Sequence, residues 1–179
     1  MTHPLLDRLD RSIVLVGLMG AGKSTIGRRL AKRLNLDFVD SDDAIAEASG
    51  LTAAEVFERF GEADFRDGER RLVARLVEGA PRVIATGGGA FVDSSTRTLL
   101  NERCHTVWLD APLRVLVERT GRRDTRPLLR GTDREARLRE LLEQRTPMYA
   151  EAHLHVRSSE AAHARIVDTI LAALDRHLS

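Results

Sequence analysis

The chain has 179 residues, 42% hydrophobic, 31% charged and only 4% aromatic, which fits one soluble domain with an aliphatic core and disfavours disorder or a membrane span. Its 28 basic residues against 27 acidic ones leave a net charge of +1, so the overall balance points to neither a nucleic-acid nor a membrane partner. A lone cysteine, Cys104, excludes an intramolecular disulfide and a cysteine-rich zinc site, and the start of the chain has no signal-peptide pattern, so the expected location is cytoplasmic.

In chain order, residues 12–16 form a short apolar run ending in Gly17, as in a buried parallel strand. A helix is expected from just after Gly22 to about Leu34, with Ile26, Leu30, Ala31 and Leu34 on one face. Phe38 and Val39 suggest a second strand. Helices follow from about Asp42, from Thr52 with a Thr52/Glu55 capping-box spacing, and over residues 62–77. A strand over 82–85 stops at three glycines. Strands at 106–109 and 154–157 are separated by helices near 112–119 and 132–145, the latter with Thr132 and Glu135 at capping-box spacing, and a last helix covers 160–174. Five short strands interleaved with helices predict an α/β fold, a doubly wound, five-stranded parallel sheet flanked by helices.

Charge is unevenly spread. Positions 37 to 69 hold 11 acidic residues against Arg59 and Arg66, whereas positions 119 to 145 hold nine arginines against five acids. Only Lys23 and Lys32 are lysines.

Gly17-Leu-Met-Gly-Ala-Gly-Lys-Ser24 is a complete G-x-x-x-x-G-K-S between a predicted strand and a predicted helix. Such a loop curls backbone amides around phosphates at a helix N-terminus; Lys23 reaches the β- and γ-phosphates, and the Ser24 hydroxyl suits Mg²⁺. A second acidic contact is sought. Asp110 ends an apolar strand, but Pro112 follows closely, so Asp110 is read as a helix cap. Asp40 and Asp42 are the better candidates: in an extended chain their i, i+2 spacing sends both carboxylates to one side, one to support Mg²⁺ and one to accept a proton from an attacking hydroxyl. The alternative is that Asp42 merely caps its helix and Asp40 is a solvated acid. Gly87, Gly88 and Gly89 close a strand where ligands bind in such sheets, though glycine triplets also make plain turns. Arg66, Arg126 and Arg145 suit carboxylate or phosphate, but many arginines in this chain must be surface residues. His153 and His155 flank Leu154; with no third ligand in view they read as surface or half-buried histidines.

Together and in this order, GLMGAGKST, FVDSD, FRDGE, ATGGG, ERTG, RPLL and RTPMY resemble the shikimate kinase family over essentially the whole chain. The resemblance implies a P-loop kinase fold with a mobile lid at 121–131, substrate-binding helices at about 42–60, one domain over 1–179, and MgATP-dependent phosphorylation of the 3-hydroxyl of shikimate in aromatic amino-acid biosynthesis. It implies that Asp42 holds the substrate hydroxyls and orients or deprotonates the attacking one, that Arg66 and Arg145 grip the substrate carboxylate, and that Gly88 donates a backbone amide. Gly20, Ala21, Gly22, Lys23, Ser24 and Thr25 would bind nucleotide. Ser24 and, through water, Asp40 would hold Mg²⁺; Lys23 and Arg126 would neutralise the transferring group, and Arg119 would pack on adenine. The stretch near 157–160 has no matching signature. The partners implied are shikimate and ATP, with no nucleic acid or membrane; a monomer is expected because no long apolar surface helix is evident. The rival readings are a gluconate-kinase-like enzyme and a non-catalytic nucleotide-binding module.

Overall fold

Apolar runs flanked by glycine and proline set the strands, and the computed structural model, which describes residues 3–122, 133–159 and 162–179, places five of them in one sheet. They are β1 (Ile13–Val16), β2 (Phe38–Asp40), β3 (Val83–Ala85), β4 (His105–Asp110) and β5 (Leu154–Arg157), all parallel, in the order β2-β3-β1-β4-β5. β1, β3 and most of β4 are wholly buried, as an internal parallel sheet covered on both faces requires.

Seven helices are present among the described residues: α1 (Lys23–Leu34), α2 (Ser41–Ser49), α3 (Ala53–Leu76), α4 (Ser94–Arg103), α5 (Leu113–Gly121), α6 (Arg134–Tyr149) and α7 (His163–His177). The chain leaves β1 toward β2 on one side and passes from β3 across β1 to β4 on the other. Right-handed crossovers therefore put α1 and α4 on opposite faces. α1 packs with α7, and α4 with α3. Ile26, Leu30, Ala31 and Leu34 lie buried on α1, as their spacing predicts.

The helix boundaries differ from the expected ones in instructive ways. The predicted helices at Thr52 and at 62 are both present and abut within α3 at Gly61, whose backbone (φ 85°, ψ 169°) is not helical; Thr52 and Glu55 form the reciprocal capping box. α4 was not predicted. Its sequence, SSTRTLLNER, is polar and rich in poor helix formers, and it is held by Asp93, which caps it through Thr96 N. α6 runs past Pro147 to Tyr149, because the fully buried Tyr149 fixes the last turn that proline weakens. Its cap is Asp133, with Glu135 N and Ala136 N as donors; the expected cap, Thr132, lies outside the described residues. α7 begins at His163, three residues later than expected. Cys104 is fully buried, and burial pushes its thiol up to about 12. No helix of the described residues is long and apolar enough to cross a membrane.

Candidate active site

The carboxyl ends of β1, β2 and β3 lie side by side, and each ends in a motif residue group: the Gly17–Ser24 loop, Asp40, and Gly87 to Gly89. That adjacency builds a cleft of about 460 Å³ lined by Gly20, Gly22, Lys23, Ser24, Asp42 and Gly88, among others. Thr25, Asp40 and Arg119 also line it.

At the loop, Gly22 precedes α1 with φ 94°, a conformation that a side chain would strain. Lys23 is buried, and its ammonium donates to the carbonyls of Gly17 (2.7 Å) and Leu18 (3.0 Å). Arg119 donates to the carbonyls of Gly20 (3.3 Å) and Ala21 (3.0 Å), so it braces the loop from α5 while facing the cleft. Ala21 itself packs into the core, while its amide donates to Leu18 O (3.1 Å) within the loop.

The Asp40/Asp42 pair is arranged differently from the extended geometry expected. The chain turns into α2 at Ser41, so Asp40, not Asp42, is the cap: its Oδ1 accepts from Asp42 N (2.8 Å) and Asp43 N (3.3 Å). Its other oxygen accepts a short hydrogen bond from the Ser24 hydroxyl. Asp40 thus joins β2 to the phosphate loop, and Asp42 enters the same cleft from the first turn of α2. Asp110 does not cap α5. The cap of α5 is Pro112, and the Asp110 carboxylate bonds the ring of His155 (2.9 Å), which stacks on Trp108.

Behind the glycines lies a charged group that is nearly dry. Gly87 N donates to the buried Ser41 hydroxyl (2.9 Å), and the buried Tyr149 hydroxyl donates to Gly88 O (2.5 Å). A Cβ at Gly89 would fall on the Arg66 guanidinium, so glycine there lets arginine approach the backbone. Arg66 also pairs with Glu69 (Nη1 to Oε1, 2.9 Å). Arg145 is 7% exposed and Glu69 2%; Arg145 Nη1 and Glu69 Oε2 have no hydrogen-bond partner. Burial pushes the Glu69 carboxyl above its ordinary value, opposed chiefly by Arg66, and raises the Tyr149 phenol.

The structure therefore brings together Lys23, Ser24, Asp40, Asp42, Gly88, Arg66, Arg145 and Arg119. Arg126 lies outside the described residues, as does most of the segment 121–131. Sequence reasoning missed Ser41, Glu69 and Tyr149. Glu69 follows Arg66 by three residues and Tyr149 follows Arg145 by four, spacings that put each on the helix face of its arginine.

The family model described as Shikimate kinase matches residues 19–175. A shikimate kinase of Paramagnetospirillum magneticum is 52% identical over 177 residues, covering 96% of this chain and 91% of that one; one of Caulobacter vibrioides is 51% identical over 164 residues, covering 92% and 82%. The solved shikimate kinase of Acinetobacter baumannii in complex with shikimate superposes with a TM-score of 0.89 at 38% identity, covering 93% of this chain and 94% of that one. A gluconokinase from Sinorhizobium meliloti, at 22% identity and a TM-score of 0.66, shares the fold alone. The sheet is that of a P-loop kinase, and the chain belongs to the shikimate kinase family.

Proposed function

We propose that this chain transfers the γ-phosphoryl group of MgATP to the 3-hydroxyl of shikimate, giving shikimate 3-phosphate and ADP, as a single-domain monomer in the cytoplasm. The observation that carries the reading is the placement of Asp42 and Gly88 on the cleft that holds Lys23 and Ser24, with the partnerless Arg145 Nη1 directly behind. A small hydroxylated carboxylate needs just such a set: a guanidinium for its carboxylate and a carboxylate for its hydroxyls.

In this reading Arg145 and Arg66 take the substrate carboxylate and Gly88 offers its amide. Asp42 accepts the proton of the attacking hydroxyl as the new P–O bond forms and the bond to the β-phosphate oxygen breaks, with ADP leaving. Lys23 exchanges its carbonyl partners for phosphate oxygens and, with Arg126, neutralises charge on the transferring group. Ser24 Oγ and the Asp40 carboxylate form an all-oxygen donor pair that fits a hard divalent cation. Mg²⁺ held there, through water at Asp40, would supply charge neutralisation on the phosphates. The nucleotide role of Gly20, Ala21, Gly22 and Thr25, the adenine role of Arg119, the acceptor role of residues 42–60 and the lid role of 121–131 belong to the same reading.

Coupled ADP release from MgATP with shikimate, gluconate or no acceptor tests it. Release that depends on shikimate, with phosphate on the 3-hydroxyl, is expected. Release with gluconate instead would reassign the acceptor, and acceptor-independent release or none would favour a nucleotide-binding module.

A further inference from the structure

At the opposite end of the sheet, three of the six histidines converge. His105 is the first residue of β4, level with the first residue of β1, His153 immediately precedes β5, and His177 ends α7. One ring nitrogen from each lies within 4.8 Å of the others. His153 and His155, neighbours that invited a joint metal reading, diverge instead: His155 stacks on Trp108, and His153 finds its companions on β4 and α7.

His105 shows what the cluster is suited to. The residue is 5% exposed, and its Nε2 lies 2.9 Å from Asp10 Oδ1. An ionised carboxylate accepts only, so Nε2 carries a proton, and in the neutral ring Nδ1 offers its lone pair. That lone pair is buried and has no hydrogen-bond partner, a cost that calls for an explanation. A carboxylate on the far nitrogen of a histidine is the arrangement that orients a metal-binding ring and raises its basicity. The His177 ring meets His105 edge to face at 5.3 Å and lies nearly parallel to His153 at 5.5 Å. His153 and His177 are exposed at the rim of the cluster, open to an ion from solvent. Arg11, the nearby cation, is turned onto Asp10 Oδ2 and the Glu102 carbonyl, both at 3.1 Å. Thr106 N donates to His153 Nδ1 at 3.2 Å, and taking an ion through this nitrogen gives up that long bond.

We propose that His105, His153 and His177 bind a divalent transition-metal ion of the zinc class, with Asp10 orienting His105 and water completing the shell. Three imidazoles and no carboxylate or thiolate select Zn²⁺ and its neighbours over Mg²⁺ or Ca²⁺. The ion would tie the segment before β1, the start of β4, the approach to β5 and the end of α7, far from the cleft, so its effect is on stability rather than on phosphoryl transfer.

The test is titration of untagged, chelator-treated full-length chain with ZnCl₂ by calorimetry and thermal melting, with Co²⁺ absorption reporting four-coordinate geometry. One ion per chain, a raised melting temperature and Co²⁺ d–d bands are expected. His177→Ala should weaken binding by at least about tenfold and Asp10→Asn by about tenfold, whereas His155→Ala, a histidine outside the cluster, should bind as the parent does. His153→Gln serves should His177→Ala fail to fold. No saturable binding by the parent chain, or undiminished binding by His177→Ala or His153→Gln, would overturn the proposal.

Discussion

The two halves of the cleft are built on opposite principles. On the nucleotide side the polar groups already hold one another: Lys23 on two carbonyls, Arg119 on two more, Ser24 on Asp40. On the side proposed for the acceptor two buried charged side chains, Arg145 and Glu69, each keep an atom with no hydrogen-bond partner. A self-satisfied loop keeps its shape alone and must trade bonds to bind, so its net gain per contact is modest. Orphaned buried groups have already borne desolvation, and a ligand that pairs them gains nearly the full interaction. Specificity should therefore concentrate on the acceptor side.

Mutations can break that contrast. The largest effect is expected from Lys23→Met, a loss of about 10³-fold in kcat/KM, since a charge that stabilises the transferring group is removed; steady-state kinetics with near-normal turnover would place that charge elsewhere. Asp42→Asn should lower kcat by about 10²-fold or more while KM for ATP stays near its parent value. Arg145→Lys should raise KM for shikimate by about 10-fold or more, because an ammonium cannot fork a carboxylate, and ATP affinity by fluorescence titration should not move. Gly89→Ala should raise the same KM several-fold by displacing Arg66, a smaller change because Arg66 keeps Glu69 as a partner.

The smallest effect sharpens the contrast from outside the cleft. Arg70 and Asp93 pair at 3.0 Å and join α3, which carries Arg66 and Glu69, to the cap of α4. Hydrogen bonds from Arg70 hold the Asp93 carboxyl at about 2, below its ordinary 3.8. A depressed acid stabilises the fold above pH 3.8 and loses that contribution as pH falls through about 2. Asp93→Asn, in a partly exposed pair, should cost about 1 kcal/mol or less at pH 7 in urea melts, with the gap to the parent closing through that window. A pH-independent gap would mean that the charge contributes nothing.

The centre of the sheet was legible because its buried parallel strands are written as apolar runs stopped by glycine or proline, Gly17 after β1, Gly87 after β3 and Pro112 after β4. α4 was illegible for the converse reason: its stability comes from one capping aspartate and from packing on α3, neither of which shows in a polar run. In the site, the glycine loop could be read because its chemistry is local. Asp40 and Asp42 were found, but on a helix start capped by Asp40 rather than on an extended chain, since both begin with the same Phe-Val-Asp. Glu69 and Tyr149 stood inside quoted motifs and were passed over. Their significance depends on burial and on the company of an arginine one turn away, which spacing hints at and only the folded chain fixes.

The break in α3 at Gly61 makes two levers out of what would otherwise be one rod. Ala53 to Phe60 can tilt without carrying Arg66 and Glu69 along, because no continuous hydrogen-bond ladder transmits the movement across φ 85°. Sequence drift in the outer lever then leaves Arg66 and Glu69, which the inner lever holds against each other, where they are.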